Sequence, residues 1–364
     1  MAQLLQTQIS GSNDNTGSLI ITGSQPIQLP LLNSGSGEVT SDVGYQFWFD
    51  SGDSYVKYNT IGSFGTGVWS AGGALSCARY LLAGAGSTQA DSMIFGGFIA
   101  PATYISLTEE YNGSSFSSGG NLIQARSHMG GAGTQNAGIT AGGYNGGGKS
   151  CTEEYDGSSW SAGGAIILAR YNLDAAGTQN ASLIAGGQTP TRVTCTEEYN
   201  GSSWAAGGAL NTARSSLATG GTQNSAVVSG GTTPSVLSCT EEYNGTAWSI
   251  GGALNTARGN VKGAGSCQYN FVVAGGYVAP SGITCTEIYD GTTFSITTSS
   301  PIQLNNQGRG GNAENAIFAG GNNPANTTAN LEWTRSYIPP FSCYLPSTWS
   351  AGGALITARY RLAG

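Results

Sequence analysis

The stretch TEEYNGSSWAAGGALNTAR, Thr196 to Arg214, decides how this chain is read, because the chain repeats it. TEEYDGSSWSAGGAIILAR begins at Thr152 and TEEYNGTAWSIGGALNTAR at Thr240. Upstream of each copy, a double glycine closes a short apolar run. It recurs at Gly96, Gly142, Gly186, Gly230, Gly275 and Gly320, at spacings of 46, 44, 44, 45 and 45 residues. A fixed period of this length marks one supersecondary unit that cannot bury its own faces and must stack on copies of itself.

Each unit divides into four strands. Between Arg170 and Gly208, residues from about Asn172 to Thr178 form the first strand, and GTQN (Gly177 to Asn180) is a turn. Ser182 to Ala185 is the second strand. Thr194 to Tyr199 alternates in the manner of a third strand with two different faces. Asn200-Gly201 predicts a type I′ hairpin turn into a fourth strand that carries Trp204 and ends at Gly207-Gly208.

The composition agrees with many short strands and tight turns. Of 364 residues, 59 are glycine, with no collagen-like period, and Trp, Tyr and Phe recur regularly. A disordered chain would be poorer in aromatics and richer in charge. The net charge is −7, from 13 basic and 20 acidic residues, so a nucleic-acid partner is not expected. No run approaches the length of a membrane helix, and no membrane insertion is expected. MAQLLQTQIS lacks the basic and then apolar regions of a secretory signal, so assembly in the cytoplasm or exit by another route is expected.

Seven cysteines make an odd set, which argues against a disulfide framework. Cys151, Cys195, Cys239 and Cys285 share one repeat position, filled by Leu107 in the first copy. That slot reads as apolar and buried, its thiols free and packed.

An apolar run, a double glycine, then Tyr, Trp and Arg in register resemble the kelch repeat, from about residue 45 to the end. Tyr155 and Trp160 are five residues apart, closer than the usual kelch spacing. The resemblance implies architecture: an all-β, kelch-like β-propeller with four-stranded blades.

Six double glycines suggest six blades. The fourth-strand aromatic, however, appears seven times, as Trp69, Phe116, Trp160, Trp204, Trp248, Phe294 and Trp349. Ala354 to Gly364 matches Ala74 to Gly84 and offers a first strand. Tyr45 to Asp50, Tyr55 to Asn59 and Val68 to Ser70 offer a second, third and fourth. The leading expectation is therefore seven blades, closed by strands from both ends, with six as the alternative. Closure hides the sheet edges that an open array exposes. A rival is a truncated piece of a longer array.

Residues 1–44 differ: short apolar pieces alternate with Gly-Ser and Asn-Asp turns, too few for a separate core. They resemble the N-terminal segments of bacteriophage tail- and head-fibre proteins. That resemblance implies an anchor or oligomerisation segment (1–44) carrying a propeller (45–364), with other virion proteins as partners. It also implies a virion location outside the cell after assembly in the host cytoplasm, and it leaves room for a homo-oligomer.

Chemistry is sparse. His128 is the single histidine and reads as a polar residue just after Arg126 on a first strand; a multi-histidine metal site is nearly excluded, and no Ser-His-Asp triad, cofactor or enzymatic activity is expected. Paired carboxylates at Glu109-Glu110, Glu153-Glu154, Glu197-Glu198 and Glu241-Glu242 sit on strands, where neighbours diverge to opposite faces. Arg79, Arg126, Arg170, Arg214, Arg258 and Arg359 recur once per unit, and one Glu of each pair is expected to bridge to such an Arg. PIQLNNQG replaces the Arg segment in the sixth unit, where Glu332 stands alone. Trp69, Trp160, Trp204, Trp248 and Trp349 read as packing between blades, against a second reading in which Trp, Arg and Glu hold one sugar per blade. Asn112, Asn200 and Asn244 satisfy the N-glycosylation pattern, but the turn already explains them.

One loop varies between units, the one after the double glycine: FIAPATYIS (Phe98 to Ser106), YNGGGKS (Tyr144 to Ser150) and QTPTRVT (Gln188 to Thr194) are examples. Variable loops on a rigid scaffold commonly carry recognition. Phe98, Tyr104, Tyr144, Arg192 and Tyr277 are the candidate binding-face residues, and a host-surface glycan or protein is the candidate ligand.

Overall fold

Units of four short strands, each too small for a core of its own, close here into a β-propeller of six blades. The computed structural model describes residues 66–323 and 325–335, together with the strand backbones Ile27–Gln28, Tyr45–Asp50 and Tyr55–Thr60. Contacts divide the chain into a unit Gly65–Ser336, which is the propeller, and a unit of Met1–Phe64 with Tyr337–Gly364.

Blade 3 shows the plan. Asp174–Thr178, Ala181–Ala185, Thr196–Tyr199 and Trp204–Ala206 form an antiparallel meander, innermost strand first. Blades 1, 2, 4 and 5 repeat it over residues 83–118, 130–163, 218–251 and 262–296. Blade 6 contains Gly308–Gly311, Asn315–Ala319 and Asn330–Thr334, and takes its outer strand from Val68–Ala71. The innermost strands follow one another around the axis, and Gly308–Gly311 packs back onto Ala83–Gly86.

The alternative count of six is therefore the observed one, and the leading count of seven is corrected. Val68–Ala71 is a fourth strand as expected, but of blade 6. Trp69 opposes Trp333 there in the register in which Trp204 opposes Tyr199. Tyr45–Asp50 and Tyr55–Thr60 do form strands, yet they pair with each other and with Ile27–Gln28 instead of building a blade. Residues 354–364, expected as a closing first strand, lie outside the described residues. The physical reason lies in the sixth unit. No Asn-Gly or Asp-Gly turn follows its third strand, Asn330–Thr334, so the outer strand comes from elsewhere in the chain.

The core lies between blades. One cluster joins Ile139 and Ala141 of blade 2 to Leu173, Ile184, Tyr199 and Trp204 of blade 3, and equivalent clusters fill neighbouring interfaces. Each large side chain buried this way contributes about 1.5–3 kcal/mol. The innermost strands approach too closely for side chains at some points. A Cβ on Gly84 would lie 2.3 Å from the Arg309 carbonyl, and one on Gly131 would lie 2.6 Å from the Gly84 carbonyl. A six-membered ring is narrow, and glycine in the first strand permits it.

The turn before the outer strand differs from the expected type I′. Tyr199 pairs with Trp204 across a four-residue loop in which Gly201 takes φ +89° and Asn200 is not left-handed. The Asn200 Oδ1 instead accepts the backbone N–H groups of Ser202 (3.0 Å) and Ser203 (2.9 Å), so the side chain organises the loop. The expected GTQN turn is present between Thr178 and Ala181. Its Gln179 donates to the carbonyls of Gly138 (3.0 Å) and Tyr155 (2.7 Å) in the preceding blade.

Candidate functional site

The residues that recur from blade to blade are committed to holding the scaffold together, within blades and between them. Arg79, Arg126, Arg170, Arg214 and Arg258 are wholly buried and pair with Glu109, Glu153, Glu197, Glu241 and Glu287 of their own blades. The same carboxylates accept backbone N–H groups from the loop that enters the blade, as Glu197 does from Ile167 (2.6 Å) and Leu168 (3.3 Å). The second Glu of each pair faces the other way. Glu110, Glu154, Glu198 and Glu242 accept the hydroxyl protons of Tyr155, Tyr199, Tyr243 and Tyr289 in the following blade. Glu332 does the same for Tyr111 and so joins blade 6 to blade 1.

Trp160, Trp204 and Trp248 are 6–7% exposed, and each donates its indole N–H to a threonine of the preceding blade at 2.9 Å. Trp69 donates to the carbonyl of Thr298. These rings lie inside interfaces, so a sugar cannot stack on Trp160, Trp204 or Trp248. Trp349 and Arg359 lie outside the described residues. The shared cysteine slot is half-buried and not fully buried as expected, because it opens toward the entering loop. Cys151 Sγ donates to Gln124 Oε1, and Cys239 Sγ accepts from Arg214. The six described cysteines are all free.

The candidate binding-face residues sit on one face of the ring. There the variable loop forms a small hairpin, seen at Phe98–Ile99 with Thr103–Tyr104 and at Gln188–Thr189 with Thr191–Arg192. Its first residue pairs with the residue after the repeat Arg, as in Tyr80 with Phe98, Ser127 with Tyr144, Tyr171 with Gln188, and Gly259 with Tyr277. The two positions therefore form one surface, and their side chains decide its character.

On blades 1 to 3 that surface is aromatic. Tyr80 contacts Phe98 (ring centroids 5.6 Å apart), Phe98 contacts Tyr104 (5.0 Å), and Tyr104 contacts Tyr144 (6.0 Å). Tyr144 contacts Tyr171 (4.9 Å), and His128 lies about 6 Å from both. All six rings are partly exposed. Three of the candidates, Phe98, Tyr104 and Tyr144, are thus brought together. Tyr277 stands apart on blade 5, and Arg192 lies on the blade 3 hairpin; neither has a ring contact with the cluster. Tyr80, Tyr171 and His128 were missed. Their signal was the residue or two just after the repeat Arg, a place where blades 4 and 5 carry Ser215-Ser216 and Gly259-Asn260.

Beside the cluster the propeller axis opens as a small depression of about 30 Å³. Its rim is a ring of left-handed residues, one per blade: Leu81, His128, Asn172, Ser216, Asn260 and Asn306, with φ from 49° to 57°. Such backbone costs L-residues roughly 1–2 kcal/mol each, and here a hydrogen bond between blades accompanies it. Five links are made, each N–H donating to the same position of the preceding blade. They run from Leu81 to Asn306, His128 to Leu81, Asn172 to His128, Ser216 to Asn172, and Asn306 to Asn260, at 2.8–3.4 Å. The sixth, from Asn260 to Ser216, is open.

Below the rim, Lys262 crosses from blade 5 to Asp174 of blade 3 (3.3 Å). Arg309 reaches from blade 6 to the carbonyls of Ala175 (2.8 Å) and Thr219 (3.2 Å). Burial, aided by the Lys262 charge, pushes the His128 imidazole down to about 4, so it is neutral at physiological pH. Among the described residues no group of three or more His, Cys, Asp or Glu side chains is assembled to hold a metal. No protein-family model matches the chain, and no curated protein matches it.

Proposed function

We propose that this protein is a non-enzymatic virion structural component, a tail or head fibre or a decoration, whose propeller presents a binding face to host-surface glycans. The observation that carries the binding reading is the aromatic cluster confined to blades 1–3, where the partly exposed Tyr80, Phe98, Tyr104, Tyr144 and Tyr171 lie beside the axial depression and its polar rim residues Asn172, Ser216 and Asn260. Sugar rings present flat C–H faces that pack on aromatics, while neighbouring polar groups take their hydroxyls. The interfaces between blades make the scaffold rigid, so the loops are held ready to bind.

The kelch-like character belongs to this reading and rests on the double glycine, Tyr, Trp and Arg of each unit. The virion placement rests on the style of residues 1–44, which would contact other virion proteins or further copies of the chain.

A glycan array with the full chain tests the binding half. At least one glycan class should bind, and Tyr144→Ala and Tyr171→Ala should each reduce the signal tenfold or more; a blank array removes the glycan reading. Mass spectrometry of purified virions tests the location. If the chain is absent from particles but found free in the medium, it is a secreted carbohydrate-binding or protein-interaction propeller instead.

A further inference from the structure

We propose that the axial depression is a subsite for one hydroxyl group of an uncharged sugar, bound at the open link of the backbone ring between Ser216 and Asn260. The inference rests on the glycan reading above and specifies where the sugar is held and which sugars qualify.

The ring offers a complementary pair. At the open link the Asn260 N–H has no acceptor and the Ser216 carbonyl has no donor, although the other five blade junctions satisfy the same two groups. A hydroxyl both donates and accepts, so one hydroxyl can answer both. Around the gap, the side chains of Asn172, Ser216 and Asn260 line the depression, are half-buried, and make no hydrogen bond within the protein.

A second observation is independent of the ring. Just inside the rim, blades 1 to 5 carry Leu82, Met129, Leu173, Leu217 and Val261. Blade 6 carries Gln307, which lines the same depression, is fully buried, donates through Nε2 to the Ala274 carbonyl, and leaves Oε1 without a partner. A buried acceptor without a donor is costly, and it is uncommon in a native interior unless something supplies the proton.

The charges around the depression cancel. Lys262 is paired with Asp174, and His128 is neutral, so no net charge favours an acidic sugar or a cationic ligand. A carboxylate, which only accepts, would meet the Gln307 Oε1 and the Ser216 carbonyl with no proton to give, whereas a hydroxyl can donate as well as accept. His128 belongs both to the rim and to the aromatic cluster, so a sugar ring lying on Tyr144 and Tyr171 would have its hydroxyl beside the axis. Because one link of six is open, the stoichiometry is one sugar per chain.

The test uses the full chain with methyl glycosides of glucose, galactose, mannose, fucose and N-acetylglucosamine, and with their singly deoxygenated and singly O-methylated analogues. Binding is followed by saturation-transfer NMR and calorimetry. One sugar should bind per wild-type chain, with a single hydroxyl whose deoxygenation or methylation lowers affinity at least tenfold, and sialic acid should not compete. Two variants address the protein side. Gln307→Leu adopts the residue of blades 1, 3 and 4, and Asn260→Gly suits the left-handed backbone; each should weaken binding at least fivefold without lowering Tm. Full binding by both variants alongside loss in Tyr144→Ala overturns the axial subsite and leaves the glycan reading standing. Several sugars per chain, preference for an acidic sugar, or indifference to every single-hydroxyl change on wild-type protein also overturns it, whether or not the variants fold. Failure of every glycoside and every array glycan overturns both.

Discussion

Blades 3 and 6 share a strand plan but differ in how their polar groups are handled. In blade 3, Arg170 pairs with Glu197 at no solvent exposure of the Arg side chain. In blade 6 the corresponding residues are Leu304 and Leu331, both buried. The charges have been lost together. The same holds at the junction of blades 5 and 6: Ile288 stands where other blades carry the second Glu, and Trp333 stands where they carry its Tyr partner. Trp333 then finds its own acceptor, the Ala313 carbonyl at 2.9 Å. Each of these two pairs is thus kept or lost as a whole, as expected when leaving one member alone costs more than the pair contributes.

The largest test removes half a pair. Glu241→Ala leaves the Arg214 guanidinium buried and uncompensated, and should destabilise the propeller by about 3–5 kcal/mol in chemical denaturation. The double change Arg214→Leu with Glu241→Leu copies blade 6 and should cost far less than Glu241→Ala. If the double variant were as damaged as the single one, paired loss would not be what blade 6 teaches.

A smaller effect is expected at the junctions between blades. Tyr199→Phe removes the hydroxyl that donates to Glu154 and accepts from the Gly164 N–H, and should cost about 1–3 kcal/mol. Burial first, and then the Glu154 hydrogen bond, pushes the Tyr199 phenol up to about 12. A folded-state pKa above the usual value of about 10 means stability that is complete below pH 10 and is lost as the pH climbs toward 12. Tyr199→Phe should therefore flatten the alkaline limb of Tm against pH.

At the rim the sign is opposite. The His128 pKa lies below its usual 6.5, at about 4, so the unfolded chain takes up the proton first. Stability should be complete above pH 6.5 and fall toward pH 4, with a slope of at most about 1.4 kcal/mol per pH unit from this group. His128→Asn, which copies Asn172 of blade 3, should remove that acid limb while retaining the left-handed backbone.

The smallest effect belongs to the outer turns. Asp156 already fills the position of Asn200, accepting from Ser158 and Ser159 with the same geometry. These bonds hold its carboxyl at about 2. Asn200→Asp should change stability by no more than about 0.5 kcal/mol.

Much of this was legible in the chain. The double glycines placed every second strand, TEEY placed the third, and the recurring Arg and Glu announced pairs. Three of the five candidate binding residues belong to one cluster, because the variable loops of blades 1 and 2 are neighbours on the same face. Tyr80, Tyr171 and His128 escaped because their place in the cluster comes from bridges and ring contacts across the face, which sequence distance hides. The turn type escaped as well. Asn-Gly suits a two-residue hairpin, but here the Asn side chain caps the loop and lengthens it by two residues.

From the sequence alone, local chemistry determined that repeated four-strand units must stack, since no unit can bury its own faces. It also determined which residue types hold one unit to the next. How many units close the ring was decided only in three dimensions. A spare strand at Val68–Ala71 can complete a blade of its own or the sixth one, and the repeat period is the same either way. The choice fell to hydrogen bonding, because the open edge of Asn330–Thr334 lacked a fourth strand. The aromatic face and the open link at Ser216 and Asn260 are likewise tertiary facts, made by loops from successive blades that meet only once the ring is closed.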